Sequence, residues 1–228
     1  MGRFVAAGVV AILAVAAGAI WLLVRSHEAP SEFVLSTTQP SASASALAGN
    51  WTVGAGPQVG YRAKEKFINQ PSETEAVART SSVKGSLVVA VEGGTVKVSR
   101  IKFTVDLASL TSQDKYANYQ VYQRDFFVRT IYLQTDRFPT ATFDAGSVSF
   151  ALPSDGPVNI DVSGRLTVHG ITKGVTAHLQ AVSAGGQAEI AGSMALDMRD
   201  FAIEPPDIAF TRAEPLVTIE FDLKLVHA

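Results

Sequence analysis

From Val59 onward, apolar and polar residues alternate along most of the chain, and a period of two predicts strands with one buried and one solvated face. Val59, Tyr61 and Ala63 oppose Gly60, Arg62 and Lys64 in a first strand that runs to Phe67. Val83, Gly85, Leu87, Val89 and Val91 share a parity in the next, and Glu92-Gly93-Gly94-Thr95 closes it as a hairpin onto Val96 to Leu107. Within that partner the apolar parity changes, from Val96 and Val98 to Ile101, Phe103, Val105 and Leu107. A strand turns its face over only with an extra residue, so a bulge is expected near Ser99-Arg100. Thr140 to Phe150, Val158 to Val168, Val175 to Val182, Gln187 to Met198 and Leu216 to Val226 follow as strands. They are separated by turn chemistry at Leu152 to Pro157 and Ala184 to Gly186. Around Gly164, the rows Leu166, Val168 and Val175, Ala177, Leu179, Ala181 form the two arms of a half-buried hairpin, with Gly170 and Gly174 at its bend, where positive φ is expected. About eight antiparallel strands in succession predict an all-β sandwich or closed barrel.

Three stretches break the rhythm. Asn69 to Ser72 reads as a loop, and the acidic run Glu73 to Glu75 as a solvated turn. Between Thr111 and Thr135, residues Tyr116, Tyr119, Gln120, Gln123, Phe126, Phe127 and Ile131 fall at spacings of three and four, which predicts one helical interruption whose aromatic residues serve packing. At the N-terminus, Phe4 to Val24 carry no charge and are flanked by Arg3 and Arg25. That run is long enough to span a hydrocarbon core, so residues 1–25 are expected to form a retained membrane anchor, with the bulk of the chain outside the cytoplasm. The rival reading, a cleaved signal peptide, has a shorter apolar region of about 7–15 residues and a small-residue cleavage site. Ser36 to Ala46 lack periodicity, and residues 26–50 are expected to be a flexible tether to a domain over 51–228.

Composition removes several kinds of chemistry. The 228 residues include no cysteine, which excludes disulfides, thiolate catalysis and cysteine-ligated metals. A net charge of −2 argues against a nucleic-acid partner. His27, His169, His178 and His227 do not pair at a ligand spacing, and His169 beside Gly170 reads as a turn histidine serving backbone carbonyls. Asp106, Asp125, Asp136, Asp197, Asp200 and Asp207 are scattered over strand ends and turns, where carboxylates cap N–H groups. There is no nucleophile elbow and no glycine loop opening a helix. No catalytic residue, metal site or enzyme activity is expected.

The stretch Gly164-Arg165-Leu166-Thr167-Val168-His169-Gly170-Ile171-Thr172-Lys173 resembles the most regular signature of the YceI-like family, a turn joining two strands of a lipocalin-like barrel. Lys84-Gly85-Ser86, Arg124-Asp125, the segment Thr135 to Phe143 and Arg199-Asp200-Phe201-Ala202-Ile203 match further pieces in the same order, while Phe126-Phe127-Val128-Arg129 departs from the common Phe-Phe-Asp-Val version. The resemblance implies a lipocalin-like antiparallel barrel that binds a long isoprenoid lipid in its interior outside the cytoplasm. Candidate lining residues are Leu87, Val89, Ile101, Phe103, Val105, Phe126, Phe127, Leu166, Val168, Ala177, Leu179, Val217, Ile219, Phe221 and Leu223. Arg124, Arg129 and Arg137 flank the helical interruption and are candidates for an anionic head group. The implied ligand is a polyisoprenoid lipid or an isoprenoid quinone, with no other cofactor. The same apolar rows also suit a filled core, as in a structural or adhesion module without a lipid. Small residues among them, Ala141, Ala177, Ala181 and Ala195, favour a lumen.

Overall fold

The computed structural model describes residues 28–36, 44–68, 72–115, 121–154, 156–184, 186–208 and 211–228. The expected anchor Phe4 to Val24, His27, Tyr116, Tyr119 and Gln120 lie outside these described residues. Among the described residues no helix is long and apolar enough to cross a membrane. The strands are β1 (Gly49–Val53), β2 (Gln58–Phe67), β3 (Thr74–Thr80), β4 (Val83–Glu92), β5 (Thr95–Asp106), β6 (Thr111–Ser112), β7 (Thr140–Ala151), β8 (Val158–Val168), β9 (Ile171–Ala184), β10 (Gln187–Asp197), β11 (Asp207–Ile208) and β12 (Thr211–His227). Two short helices accompany them, α1 (Ala44–Leu47) and α2 (Val121–Phe127), and α2 runs on as a π-type turn over Val128–Tyr132.

Hydrogen bonding runs β1-β4-β5-β7-β8-β9-β10-β12, and β12 returns to β1, so eight antiparallel strands close a barrel. At β7–β8 the ring is held by a short pairing, in which only Thr142, Phe143 and Asp144 face Thr167, Leu166 and Arg165. The N-terminal half of β12 pairs instead with β2, from which β3 and β6 extend the wall. The expected bulge is present in β5: Ser86 faces Lys102 while Val88 faces Ser99, and Arg100 takes φ 52°. The β8–β9 turn is made by His169 and Gly170, at φ 52° and 76°, the primed geometry that suits the twist of the strands. It is tighter than the sequence pattern suggests, because Lys173 and Gly174 already lie within β9 opposite Leu166 and Arg165. Gly85 and Gly164 serve close approach: a Cβ on either would overlap the ring of Phe103 or Phe143.

The end of the barrel where β2, β8 and β10 finish and β12 starts is the upper end; the β4–β5 and β9–β10 hairpins mark the lower. Four expectations are corrected. Glu73 to Glu75 lead into β3 rather than a solvated turn, and Ala76, Val77 and Ala78 of that strand are buried with no exposed face. The barrel's first strand starts at Gly49, two residues before Trp51. Among the described residues the helical interruption covers Val121–Tyr132, and Thr111 and Ser112 pair with β3 instead. Within the stretch expected as a tether, residues 28–36 lie along the outer wall. Glu28 exchanges backbone hydrogen bonds with Lys115, Arg62 donates to the Pro30 carbonyl (2.8 Å), and Arg79 donates to Ser31 (2.6 Å) and stacks 3.9 Å from the Phe33 ring. Ser36 donates to both carboxylate oxygens of Glu189 (2.6 Å each). The physical reason is an ion cluster beneath: Glu220, 2% exposed, pairs with Arg62 and Arg79, and residues 28–36, a strap over it, add carbonyl acceptors for both arginines.

Candidate functional site

The inward rows of the ring strands do not fill the interior; they border a cavity of about 280 Å³. Its wall on β12 alone runs from Ile219 to Leu225, roughly 20 Å at about 3.4 Å per residue, so the space is long and slim. Of the expected lining residues, Leu87, Val89, Ile101, Phe103, Val105, Leu166, Val168, Ala177, Leu179, Ile219, Phe221 and Leu223 border it, joined by Ala141 and Ala181. Val217 packs against the adjoining core without bordering the space. Ala195 opposes Thr218 on the outer face. Phe126 and Phe127 are also outside the cavity: α2 turns them to solvent, 57% and 45% exposed. The sequence reading missed Leu47, Trp51, Leu107, Leu110 and Leu133, which lie at the two ends of the lumen. Leu107 closes the alternating row of Ile101, Phe103 and Val105, whereas Leu47, Leu110 and Leu133 lie in or beside loops and short helices and Trp51 in a five-residue strand, with no period-two row to find them by.

Of the polar residues bordering the lumen, Tyr61 and Thr142 lie toward the upper end and Ser183 at the lower. Tyr61 lies on the inward face of β2 and is half-buried, its free surface turned to the cavity. Burial pushes its phenol well above the ordinary value; Arg124 opposes this, and Glu65, Asp125 and Asp114 add to it. Arg124 is buried and ion-paired with Asp114 and, at 3.5 Å, with Glu65; it also donates to Ser112 Oγ at 2.8 Å. Ser112 in turn donates its backbone N–H to Asp125 at 3.0 Å, and Asp114 accepts from the Val77 N–H at 3.1 Å. Burial favours loss of the Arg124 proton, yet the hydrogen bond to Asp114 and the adjacent carboxylates outweigh it and hold the guanidinium above its usual value. Burial likewise raises Glu65, with Arg124 offsetting part of the rise. The charge of Arg124 therefore points into the protein, satisfied by carboxylates, and is not presented to a head group. Arg129 donates to the Leu110 carbonyl at 2.7 Å. Arg137 is exposed, bonded to Gln134 at 2.9 Å and 5.1 Å from the Phe138 ring centre. The three arginines do not converge.

His169 does what a turn histidine does: its Nδ1 lies 3.1 Å from the Phe201 carbonyl, and Phe138 packs edge-on against the ring at 4.6 Å. This bond ties the β8–β9 turn to the Arg199–Ile203 segment, whose Phe201 and Ile203 are buried in the upper core. Among the described residues no three His, Asp or Glu side chains converge as metal ligands.

A family model described as the YceI-like domain matches residues 59–225. The chain belongs to the YceI-like family. Two relatives from Vibrio vulnificus, UPF0312 protein VVA0736 and UPF0312 protein VV2_0231, are each 32% identical over 114 residues, 47% of this chain and 55% of theirs. The chain thus spans about half the length of the curated relatives it matches. A solved polyisoprenoid binding domain from Saccharophagus degradans, implicated in plant cell wall breakdown, matches with a TM-score of 0.56 at 13% identity, covering 79% of this chain and 99% of that one. What this second likeness shows is the fold. In this YceI-like domain the barrel, the signature turn and the lumen form one unit.

Proposed function

We propose that this YceI-like protein binds a long-chain isoprenoid lipid along the axis of its barrel, outside the cytoplasm, and is held at the membrane by an anchor formed from Phe4 to Val24. The observation that carries the reading is the lumen: about 280 Å³ of slim, almost wholly apolar space. A sugar or nucleotide would lose its water there without gaining partners, whereas a hydrocarbon chain gains about 0.8 kcal/mol for each buried CH₂. The role of the Saccharophagus degradans domain supports the choice of an isoprenoid. The uncharged run between Arg3 and Arg25 supports the anchor. The reading is one of binding, for storage, transport or sensing, not of catalysis.

Ala177 tests it. This residue is 3% exposed and borders the lumen from β9. Ala177→Trp is expected to place its indole in empty space, leaving the melting temperature of the ligand-free protein within a few degrees of the parent. Affinity for a long prenyl lipid should fall by roughly a hundredfold or more, the loss from displacing an isoprene unit's worth of buried carbon. In a filled core the same change would overpack, at about 1–3 kcal/mol or more. A large drop in melting temperature, with no prenyl binding by the parent, would favour a structural module instead.

A further inference from the structure

The distribution of exposed apolar side chains is one-sided. Among the described residues, six of the seven exposed large hydrophobics, all but Val34, lie at the upper end. Ile68 follows the last residue of β2, Ile208 opposes Thr211 at the start of β12, and Leu216 opposes Asp197 at the end of β10. Phe126, Phe127 and Ile131 lie on α2 and its π-type extension, in the insertion between β5 and β7. That helical segment is inverted: Arg124 and Asp125 bond inward, while Phe126, Phe127 and Ile131 face out at helical spacing. The same segment continues into Leu133, which borders the lumen. The exposed apolar residues therefore share a segment with a residue that borders the apolar cavity.

The path of the chain adds a distance. The strap begins at Glu28, whose backbone pairs with Lys115; the neighbouring residue Asp114 holds Arg124 of α2. From there it descends past Arg62 and Arg79 to Ser36, which is bound to Glu189 near the lower end, before β1 enters the barrel. Glu28, four residues after Val24, thus pairs with the segment whose Asp114 holds Arg124 of α2. From Val24 to Glu28 the chain reaches at most about 14 Å, at about 3.5 Å per residue. An interfacial layer of the bilayer is itself roughly 5–8 Å deep.

We propose that the strap and the outward apolar face of α2 seat the barrel on the lipid bilayer with its upper mouth against the membrane, so that an isoprenoid passes beneath α2 between bilayer and lumen without crossing water. The inference rests on the anchor reading of Phe4 to Val24. The three residues between Val24 and Glu28 cannot let the barrel turn over, and the apolar rim is what a surface must offer to enter the head-group and acyl boundary. The strap thus replaces a free tether with a fixed orientation.

The chain has no cysteine, so single labels are unambiguous. The full-length protein carrying Phe127→Cys, labelled with a polarity-sensitive nitrobenzoxadiazole dye, is reconstituted into phosphatidylcholine vesicles with nitroxide on the acyl chains. Ile131→Cys gives an independent upper site, and Glu92→Cys, at the β4–β5 hairpin, reports the lower end. The expected result is blue-shifted emission at both upper sites, quenched several-fold more than at Glu92. Three results would overturn the proposal: a chain that sediments with vesicles but shows no quenching at Phe127 and Ile131; equal quenching at both ends; or a blue shift without quenching, the mark of a second copy covering the patch. A chain that fails to sediment with vesicles overturns the anchor reading and the docking together. The vesicles contain no isoprenoid, so the readout is independent of whether the lumen takes one.

Discussion

The two ends of the barrel are closed by opposite means. At the lower end Trp51 packs with Leu87, Ile160 and Leu225, donates Nε1–H to the Leu47 carbonyl at 2.9 Å, and stacks 4.0 Å from His227. At the upper end the closing element carries its charges inward, on the Arg124–Asp114–Glu65 cluster, and its phenylalanines outward. The rule that apolar groups turn inward is a statement about water outside. On the docking proposed above, an end that buries ions and exposes aromatics is one that meets something less polar than water, whereas the hairpins of the lower end expose no large hydrophobic side chain among the described residues.

The comparison can be broken from either side. Removing the keystone of each end should have the largest effects: Trp51→Ala is expected to cost about 3–5 kcal/mol through the cavity it leaves, and Arg124→Ala about 3–5 kcal/mol through the uncompensated carboxylates of Asp114 and Glu65. Urea denaturation measures both; a cost below about 1 kcal/mol for Arg124→Ala would show that the upper closure is not ionic.

Acidity should separate the ends next. The Glu65 carboxyl is raised by burial in the folded protein, so its contribution is fully present below the ordinary glutamate value of about 4.3 and is lost as pH rises through its raised folded value. Glu189, under the strap, is the reverse: burial alone would raise it, but hydrogen bonds from Lys224 and Ser36 prevail and lower it. Its contribution is present above the ordinary value and is lost as pH falls through the lowered one. Glu65→Gln removes only the first term, so the variant should lose stability more steeply than the parent on acidification from the raised Glu65 value toward about 4. In alkali the upper end should fail through Tyr61. Its raised phenol stabilises the fold below about pH 10 and ceases to do so as pH rises further. Tyr61→Phe should flatten that alkaline loss, as seen in melting temperatures from pH 9 upward. The smallest effect belongs to the strap: Ser36→Ala should cost about 1 kcal/mol and speed amide exchange over residues 28–36 without changing exchange in the ring strands.

How far the sequence reveals this architecture follows the same division. Seven of the eight ring strands, all but the five-residue β1, are legible because each has one face on the lumen and one in water, and even the bulge at Arg100 shows as a change of parity. β3 is not legible: Ala76, Val77 and Ala78 are buried in succession while Glu75 and Arg79 occupy ion pairs, so the alternation that marks a half-solvated strand is absent. The strap reads as a tether because its partners, Arg62, Arg79 and Glu189, are distant in sequence. α2 is legible as a helix but not in orientation. Phe126 and Phe127 were assigned to the lining and Arg124 to a head group on the premise of apolar inside and charged outside, and the structure reverses both. The signal available was the acidic company, Asp114, Asp125 and Glu65, that a buried arginine requires.

The most direct test of the central claim, that the lumen is a site for a long isoprenoid, is the lipid that the protein carries. The purified protein, folded by its melting transition, is extracted with organic solvent and the extract analysed by mass. The account predicts a long prenyl chain at about one per protein, much reduced in Ala177→Trp. A folded parent that carries no prenyl chain, and takes none up when it is supplied, would contradict it.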